Sequence, residues 1–368
     1  MSSGVSVLWL CGPPGVGKSS AAFEIFSQLS RAGVRAAFID LDQIGLCHPV
    51  DDEHRVRIAA LGAVWPNYRA AGVACLILSG VVDTAGQARA YADAMPGADV
   101  TLCRLRVHAD ELRRRFVGRG WRPELVDRAV AAADALDRTG FADLCVDTDG
   151  LTVPEVARTV RERIGPWPAA APPPTAPPAA PAGAAITTPT LWLCGPVGVG
   201  KSTVGYEVFR QVIGDGVTAA YVDARQIGFL RSADDGHALK AANLAALDAV
   251  FRPAGAQCLI VSGETGHPDG YTGLFAASAL TVCRLDAGPD RLAERVLMRG
   301  RGDGPVIPGD ELRGLPEEEL LKIARRAAAE AADASDGAVR VGTDDRSAAD
   351  AARAVRAAAG GWPRLRAP

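Results

Sequence analysis

Leu8-Trp9-Leu10-Cys11-Gly12-Pro13-Pro14-Gly15-Val16-Gly17-Lys18-Ser19 returns as Leu191-Trp192-Leu193-Cys194-Gly195-Pro196-Val197-Gly198-Val199-Gly200-Lys201-Ser202, with Pro14 against Val197 as the one difference. The repeat offset of 183 holds through Asp40 and Asp223, Gln43-Ile44-Gly45 and Gln226-Ile227-Gly228, Cys75 and Cys258, and Ser79-Gly80 and Ser262-Gly263. It then drifts, to 180 at Cys103-Arg104-Leu105 against Cys283-Arg284-Leu285 and to 195 at Thr148 against Thr343. The second copy therefore carries a local insertion, assigned to the stretch from Gly302 to Pro316. A chain of 368 residues built this way reads as two domains of similar plan.

Gly12 to Ser19 and Gly195 to Ser202 both fit G-x-x-x-x-G-K-[ST], each after an apolar strand and before a helical stretch. Backbone N–H groups freed by Gly12, Gly15 and Gly17, and by Gly195, Gly198 and Gly200, can curl around phosphate oxygens at a helix N-terminus. Lys18 and Lys201 would reach the β- and γ-phosphates, and Ser19 and Ser202 would ligate Mg²⁺. Ser20 and Thr203, the next residues, complete the expected nucleotide-binding set. Lysine is rare here, since Lys18, Lys201, Lys240 and Lys322 are the only four and every other basic residue is arginine. That two of the four fall in these loops adds weight to the motif.

Short apolar strands expected at Val5–Cys11, Ala36–Ile39, Ala74–Leu78, Val100–Leu105 and Leu144–Val146 alternate with amphipathic stretches. That is the pattern of an α/β fold with a parallel sheet flanked by helices, and together with the two phosphate-loop motifs it resembles two tandem P-loop NTPase domains of nucleoside monophosphate kinase type. The expected division is residues 1–165, a Pro/Ala-rich linker at 166–189, and residues 190–368. Gly165 to Gly183 contains eight prolines and favours extended polyproline II.

The net charge of −3 offers no basic field to hold a polyanion, so nucleic acid is not expected as a partner. The apolar run Val5 to Cys11 is far below the ~20 residues that span a bilayer, and no membrane association is expected. A cytoplasmic protein is expected, of undetermined oligomeric state. No C-x-x-C pair occurs, and most cysteines lie in strand-like runs as buried free thiols.

Among P-loop classes, GTP-specific switch proteins are disfavoured. Asp42-Gln43-Ile44-Gly45 matches their D-x-x-G pattern, but no lysine outside the P-loops follows an asparagine, so the guanine-reading N-K-x-D is missing. Each half instead resembles the shikimate kinase, gluconate kinase, adenylylsulfate kinase and chloramphenicol phosphotransferase group of P-loop kinases. That group carries an acidic D-x-D-type element after its second strand, matched by Phe38-Ile39-Asp40-Leu41-Asp42-Gln43. The resemblance implies that Asp40, and Asp223 in the repeat, belong to the Mg²⁺ shell, while Asp42 orients or deprotonates the acceptor hydroxyl. It also implies a lid helix whose arginines close over the transferring phosphate, with Arg115 and Arg119 in the first half and Arg295 and Arg299 in the second. Val146-Asp147-Thr148-Asp149-Gly150 resembles the loop that packs on the adenine, and its counterpart Val341-Gly342-Thr343-Asp344-Asp345 lacks the first aspartate. Arg55 and Arg57 stand either in the acceptor pocket or in solvent, and Trp65, Asn67 and Tyr68 either there or in the core.

The repeat position of Asp42 is Arg225. A guanidinium cannot act as a general base at neutral pH, so the second half departs from the pattern where the acceptor would be activated. It reads as a nucleotide-binding partner of the first half, ahead of a kinase for another acceptor or a hydrolase. The expected function is ATP-dependent phosphorylation of a hydroxyl on a small molecule by the first domain. Two alternatives remain: a nucleotide-sensing ATP-binding or ATPase interaction module, and a kinase of nucleic-acid ends.

Overall fold

The computed structural model describes residues 4–118, 123–168, 185–231, 236–263, 271–303, 307–332 and 339–363. In the first half the chain runs β1 (Val5–Cys11), α1 (Lys18–Arg31), β2 (Ala36–Asp40), a short turn α2 (Leu41–Ile44), β3 (Cys47–His48), α3 (Glu53–Ala70) and β4 (Cys75–Ser79). It continues α4 (Ala85–Asp93), β5 (Ala98–Arg106), α5 (Ala109–Gly118), α6 (Val126–Asp137), β6 (Leu144–Asp147) and α7 (Val153–Ile164). The second half repeats the plan through β7 (Thr190–Cys194), α8 (Lys201–Gly214), β8 (Ala219–Asp223), β9 (Phe229–Leu230), α9 (Gly236–Phe251) and β10 (Cys258–Ser262). It ends with β11 (Leu280–Asp286), α10 (Pro289–Arg301), α11 (Glu317–Ala332), β12 (Val339–Gly342) and α12 (Ala348–Ala358).

The first sheet has the order β6-β5-β1-β4-β2-β9, parallel except for the edge strand β9. β1 sits at its centre and all seven of its residues are buried, as a strand covered by helices on both faces must be. Residues from α1, α5, α6 and α7 close one face around Leu8, Leu10, Phe38, Ile77 and Leu105. The second sheet, β12-β11-β7-β10-β8-β3, repeats the arrangement around Leu191, Leu193, Tyr221, Ile260 and Leu285. The fold class read from the sequence is the one observed.

The expected division takes each half of the sequence as contiguous, and here the structure adds a feature. One compact unit gathers Met1–Ile44, Arg57–Ala179 and Gly228–Leu239, and the other gathers Gly45–Val56, Ala180–Ile227 and Lys240–Pro368. The chain leaves the first unit just after Asp42-Gln43-Ile44, supplies β3 to the second unit, and returns. At the repeat-equivalent point it supplies β9 to the first. β9 pairs antiparallel with β2 at Ala37↔Leu230 and Phe38↔Phe229, and β3 pairs antiparallel with β8 at Cys47↔Ala220 and His48↔Ala219. Phe229 fills a cluster with Phe23, Phe26 and Phe38 at ring separations of 5.3, 6.1 and 5.7 Å. Most of the predicted linker, residues 169–184, lies outside the described residues.

Candidate active site

Both phosphate loops follow the carboxyl end of the central strand, where neighbours diverge to either side and leave a crevice. Gly12 has φ 138°, and a Cβ there would lie 2.5 Å from the carbonyl oxygen of Leu105, so the loop can pass this strand end only as glycine. Gly195 repeats the conformation against Leu285. Lys18 and Lys201 begin α1 and α8, after Gly17 and Gly200 in left-handed geometry. Lys18 Nζ donates to the Pro13 carbonyl at 3.0 Å, and Lys201 Nζ donates to those of Gly195 and Pro196 at 2.6 and 3.1 Å. Ser20 and Thr203 stand in the first turns of the same helices, and Gly15 and Gly198 take the left-handed bend of each loop.

In the first unit β2 delivers Asp40 to this crevice, buried beneath the loop. Its carboxyl is raised to about 6, first by burial and then by the like charge of Asp42, against hydrogen bonding from Ser19 and the Asp42 amide. The Asp42 N–H donates to Asp40 Oδ1 at 3.0 Å, which fixes the two acids two residues apart on one turn. A buried carboxylate next to a hydroxyl, both hard oxygen donors, suits magnesium with a nucleotide's phosphates completing the shell. Asp42 differs from Asp40 in access, with a side chain 47% exposed and paired to Arg57 Nε at 3.5 Å. Arg57 therefore stands beside Asp42, whereas Arg55 is exposed, and Trp65 and Tyr68 are core residues.

Position 225 changes the second unit more than the loss of a base would. Ser202 Oγ donates to Asp223 Oδ2 at 2.6 Å. Arg225 Nη2 donates to the same Ser202 Oγ at 2.8 Å and to Asp223 Oδ2 at 3.3 Å, while its Nε and backbone N–H reach Asp223 Oδ1 at 3.4 and 3.0 Å. Burial, the largest influence, opposes the guanidinium charge, but attraction and hydrogen bonding to Asp223, with Tyr221 and Asp310 adding, together leave Arg225 raised above its ordinary value. Lys201 is pulled down to about 8, by burial first and by Arg225 next. Tyr221, at the repeat position of Phe38, adds bonds from its hydroxyl to the Ser202 carbonyl and to Ser262 Oγ at 3.3 and 3.1 Å. Ser202 and Asp223 are thus tied up by a cation from their own chain, and they do not fit magnesium as Ser19 and Asp40 do.

The lid arginines divide. Arg115, on α5, donates to the Val16 carbonyl at 3.0 Å and to the hydroxyl and carbonyl of Thr148 at 3.1 and 2.7 Å, with Nε on Glu111. It clamps the phosphate loop to the loop after β6. Arg295 makes the same contacts with Val199 and Thr343. Arg119 lies outside the described residues. Arg299 pairs with Asp310 at 2.7 Å, a partner carried by the inserted segment. Asp147, whose repeat position is Gly342, pairs with Arg106 at the surface at 2.8 and 3.0 Å. Asp149 and Asp344, the retained acids, each cap the start of the helix-bearing segment by accepting from His108 and Gly288 N–H.

The cysteines offer no competing nucleophile. Seven of the eight are buried, and burial pushes the Cys11 thiol, beside the phosphate loop, up to about 12. Among the described residues no helix is long and apolar enough to cross a membrane.

No family model matches the chain, and no curated protein does either. Among solved structures it is similar to a tunicamycin resistance protein of Deinococcus radiodurans, with 20% identity over 46% of this chain and 99% of that one at a TM-score of 0.35. A gluconokinase from Sinorhizobium meliloti follows at 15% identity, 47% and 93% coverage and a TM-score of 0.31. The APS kinase of Mycobacterium tuberculosis, solved with AMPPNP and APS, shows 19% identity, 47% and 97% coverage and a TM-score of 0.29. Each of these structures matches a stretch about half the length of this chain.

Proposed function

We propose that the first unit is an ATP-dependent kinase that transfers the γ-phosphoryl group to a hydroxyl of a small molecule, and that the second unit binds nucleotide without catalysing transfer. The observation that carries this reading is the pair Asp40 and Asp42: one acid buried beside Ser19 on the phosphate loop, the next exposed at the mouth of the crevice. Lys18 would contact the β- and γ-phosphates, while backbone N–H groups of Gly12 to Ser19 cradle them. Magnesium held by Ser19 and Asp40 would neutralise charge on the phosphates during transfer. Asp42 would accept the proton of the attacking hydroxyl, which then bonds to phosphorus as the β–γ bridging oxygen leaves with ADP.

Arg57 would hold Asp42 in place and favours an acceptor carrying an anionic group near its hydroxyl. Arg115 would act as a positioning residue through Val16 and Thr148, and Arg119 would supply a further positive charge to the transferring phosphate. In the second unit Gly195, Gly198, Gly200, Lys201, Ser202 and Thr203 would bind the nucleotide. A soluble, cytoplasmic setting accords with this chemistry, as does a small acceptor rather than nucleic acid. An ATP-consumption screen of the full chain against hydroxyl-bearing metabolites, with Lys18→Ala as the blank, tests the proposal. An acceptor that stimulates ADP release by the parent chain alone supports it. Slow hydrolysis unmoved by any acceptor would favour the nucleotide-sensing module instead.

A further inference from the structure

Arg225 does not simply lack a base; it sets a cation on Ser202 and Asp223, the counterparts of the two residues proposed to hold magnesium in the first unit. Ser202 Oγ and Asp223 Oδ2 are bridged by a single guanidinium nitrogen of Arg225, at 2.8 and 3.3 Å. A magnesium ion would need to sit about 2.1 Å from its oxygen ligands, in space this guanidinium already crowds, and next to its fixed positive charge.

The placement of charge differs accordingly. Around the first phosphate loop, Lys18 and Arg57 stand among Asp40 and Asp42, and among the described residues no cation bridges Ser19 and Asp40. Around the second, Glu330, Asp223 and Asp310 all act on Lys201 and Arg225, but the Arg225 cation bonds directly to Ser202 and Asp223. Lys240, at the repeat position of Arg57, keeps the sign of that neighbouring position as well.

We infer that the second unit binds a nucleoside di- or triphosphate without a divalent cation, with the Arg225 guanidinium standing where the metal would sit and its unengaged edge turned to the phosphates. This rests on the proposal that the second P-loop binds nucleotide at all. Arg225 supplies a permanent charge and N–H donors, suited to holding phosphate oxygens bidentately. Without a metal to polarise the γ-phosphate or a base to receive a proton, bound nucleotide would persist rather than turn over.

Calorimetric titration of the full chain with ATP, once in excess magnesium and once in EDTA, tests this without relying on catalysis. Two sites per chain are expected in magnesium and one in EDTA. The EDTA-resistant site should vanish in Lys201→Ala and survive in Lys18→Ala. Arg225→Ala should weaken it on the order of 10- to 100-fold, the effect of losing a charge-assisted contact, and Arg225→Asp should make it require magnesium. A second site that disappears in EDTA in the parent chain overturns the inference while leaving the unit a nucleotide binder. No Lys201-dependent site in either buffer overturns the underlying reading instead. EDTA-resistant binding left undiminished in Arg225→Ala would remove Arg225 from the account.

Discussion

Asp42 and Arg225 occupy the same place in two copies of one fold, two residues beyond a buried aspartate, and they turn in different directions. Asp42 points its carboxylate to the crevice mouth, half exposed and steadied by Arg57. Arg225 folds back onto Asp223 and Ser202. The loop glycines before them and the arginine clamps are held in matching contacts. One charge reversal thus separates a site whose second acid stays open to solvent from one whose buried aspartate is bonded by a cation of its own chain. The lesson is that a duplicated loop can keep its backbone geometry while a single side chain two residues beyond the buried aspartate reverses its charge and its contacts.

The comparison breaks most sharply at the base. Asp42→Asn keeps size and polarity and removes the proton acceptor, so kcat should fall on the order of 10² to 10⁴-fold with the Kd for ATP within a few-fold of the parent. Steady-state kinetics beside calorimetry checks both halves of that statement.

A second effect concerns the exchanged strands. Phe229 comes from the second half of the sequence but packs in the first unit's aromatic cluster. Phe229→Ala should destabilise that unit by about 3 kcal/mol, the lower range for losing a packed phenylalanine. The loss should appear as a lower urea midpoint for nucleotide binding through Lys18. For the same reason a fragment ending at residue 165 should be less stable than this unit within the whole chain, because it lacks β9.

The buried acid sharpens the comparison through pH. Asp40 rises from 3.8 to about 6, so the folded chain holds this proton more tightly than the unfolded one does. Its stabilising effect is full below about pH 4 and is lost as pH rises through 6, a change of up to roughly 3 kcal/mol. Denaturant titrations in metal-free buffer should show that decline, and Asp40→Asn should flatten it.

The smallest effect belongs to the acceptor side. Arg57→Gln should raise KM for an anionic acceptor by about two- to fivefold, the scale of one solvent-screened charge contact, while KM for ATP stays put.

Much of this was legible in the sequence because it is written in spacing. The glycines, lysines and hydroxyls of both loops, the acidic step after the second strand, and the alternation of apolar runs with helical stretches all follow from local chemistry. β3 and β9 were not legible: two residues carry no periodicity, and which sheet edge they join depends on where the chain is carried after Gly45 and Gly228. Pro66 within α3 is likewise tolerated by tertiary context rather than by propensity. Arg115 and Arg57 were visible as arginines four or two positions from other arginines, but their roles needed distances. One proved to be tied to Val16 and Thr148, and the other to Asp42. Arg299 was out of reach for another reason, since its partner Asp310 lies in the insertion that broke the repeat.

The central claim is that the two phosphate loops divide labour, and the most direct test compares Lys18→Ala with Lys201→Ala in the full chain. Acceptor-dependent ADP release should vanish in the first variant and persist at most of the parent rate in the second. If Lys201→Ala abolishes transfer while Lys18→Ala retains it, catalysis belongs to the second unit and the account is contradicted.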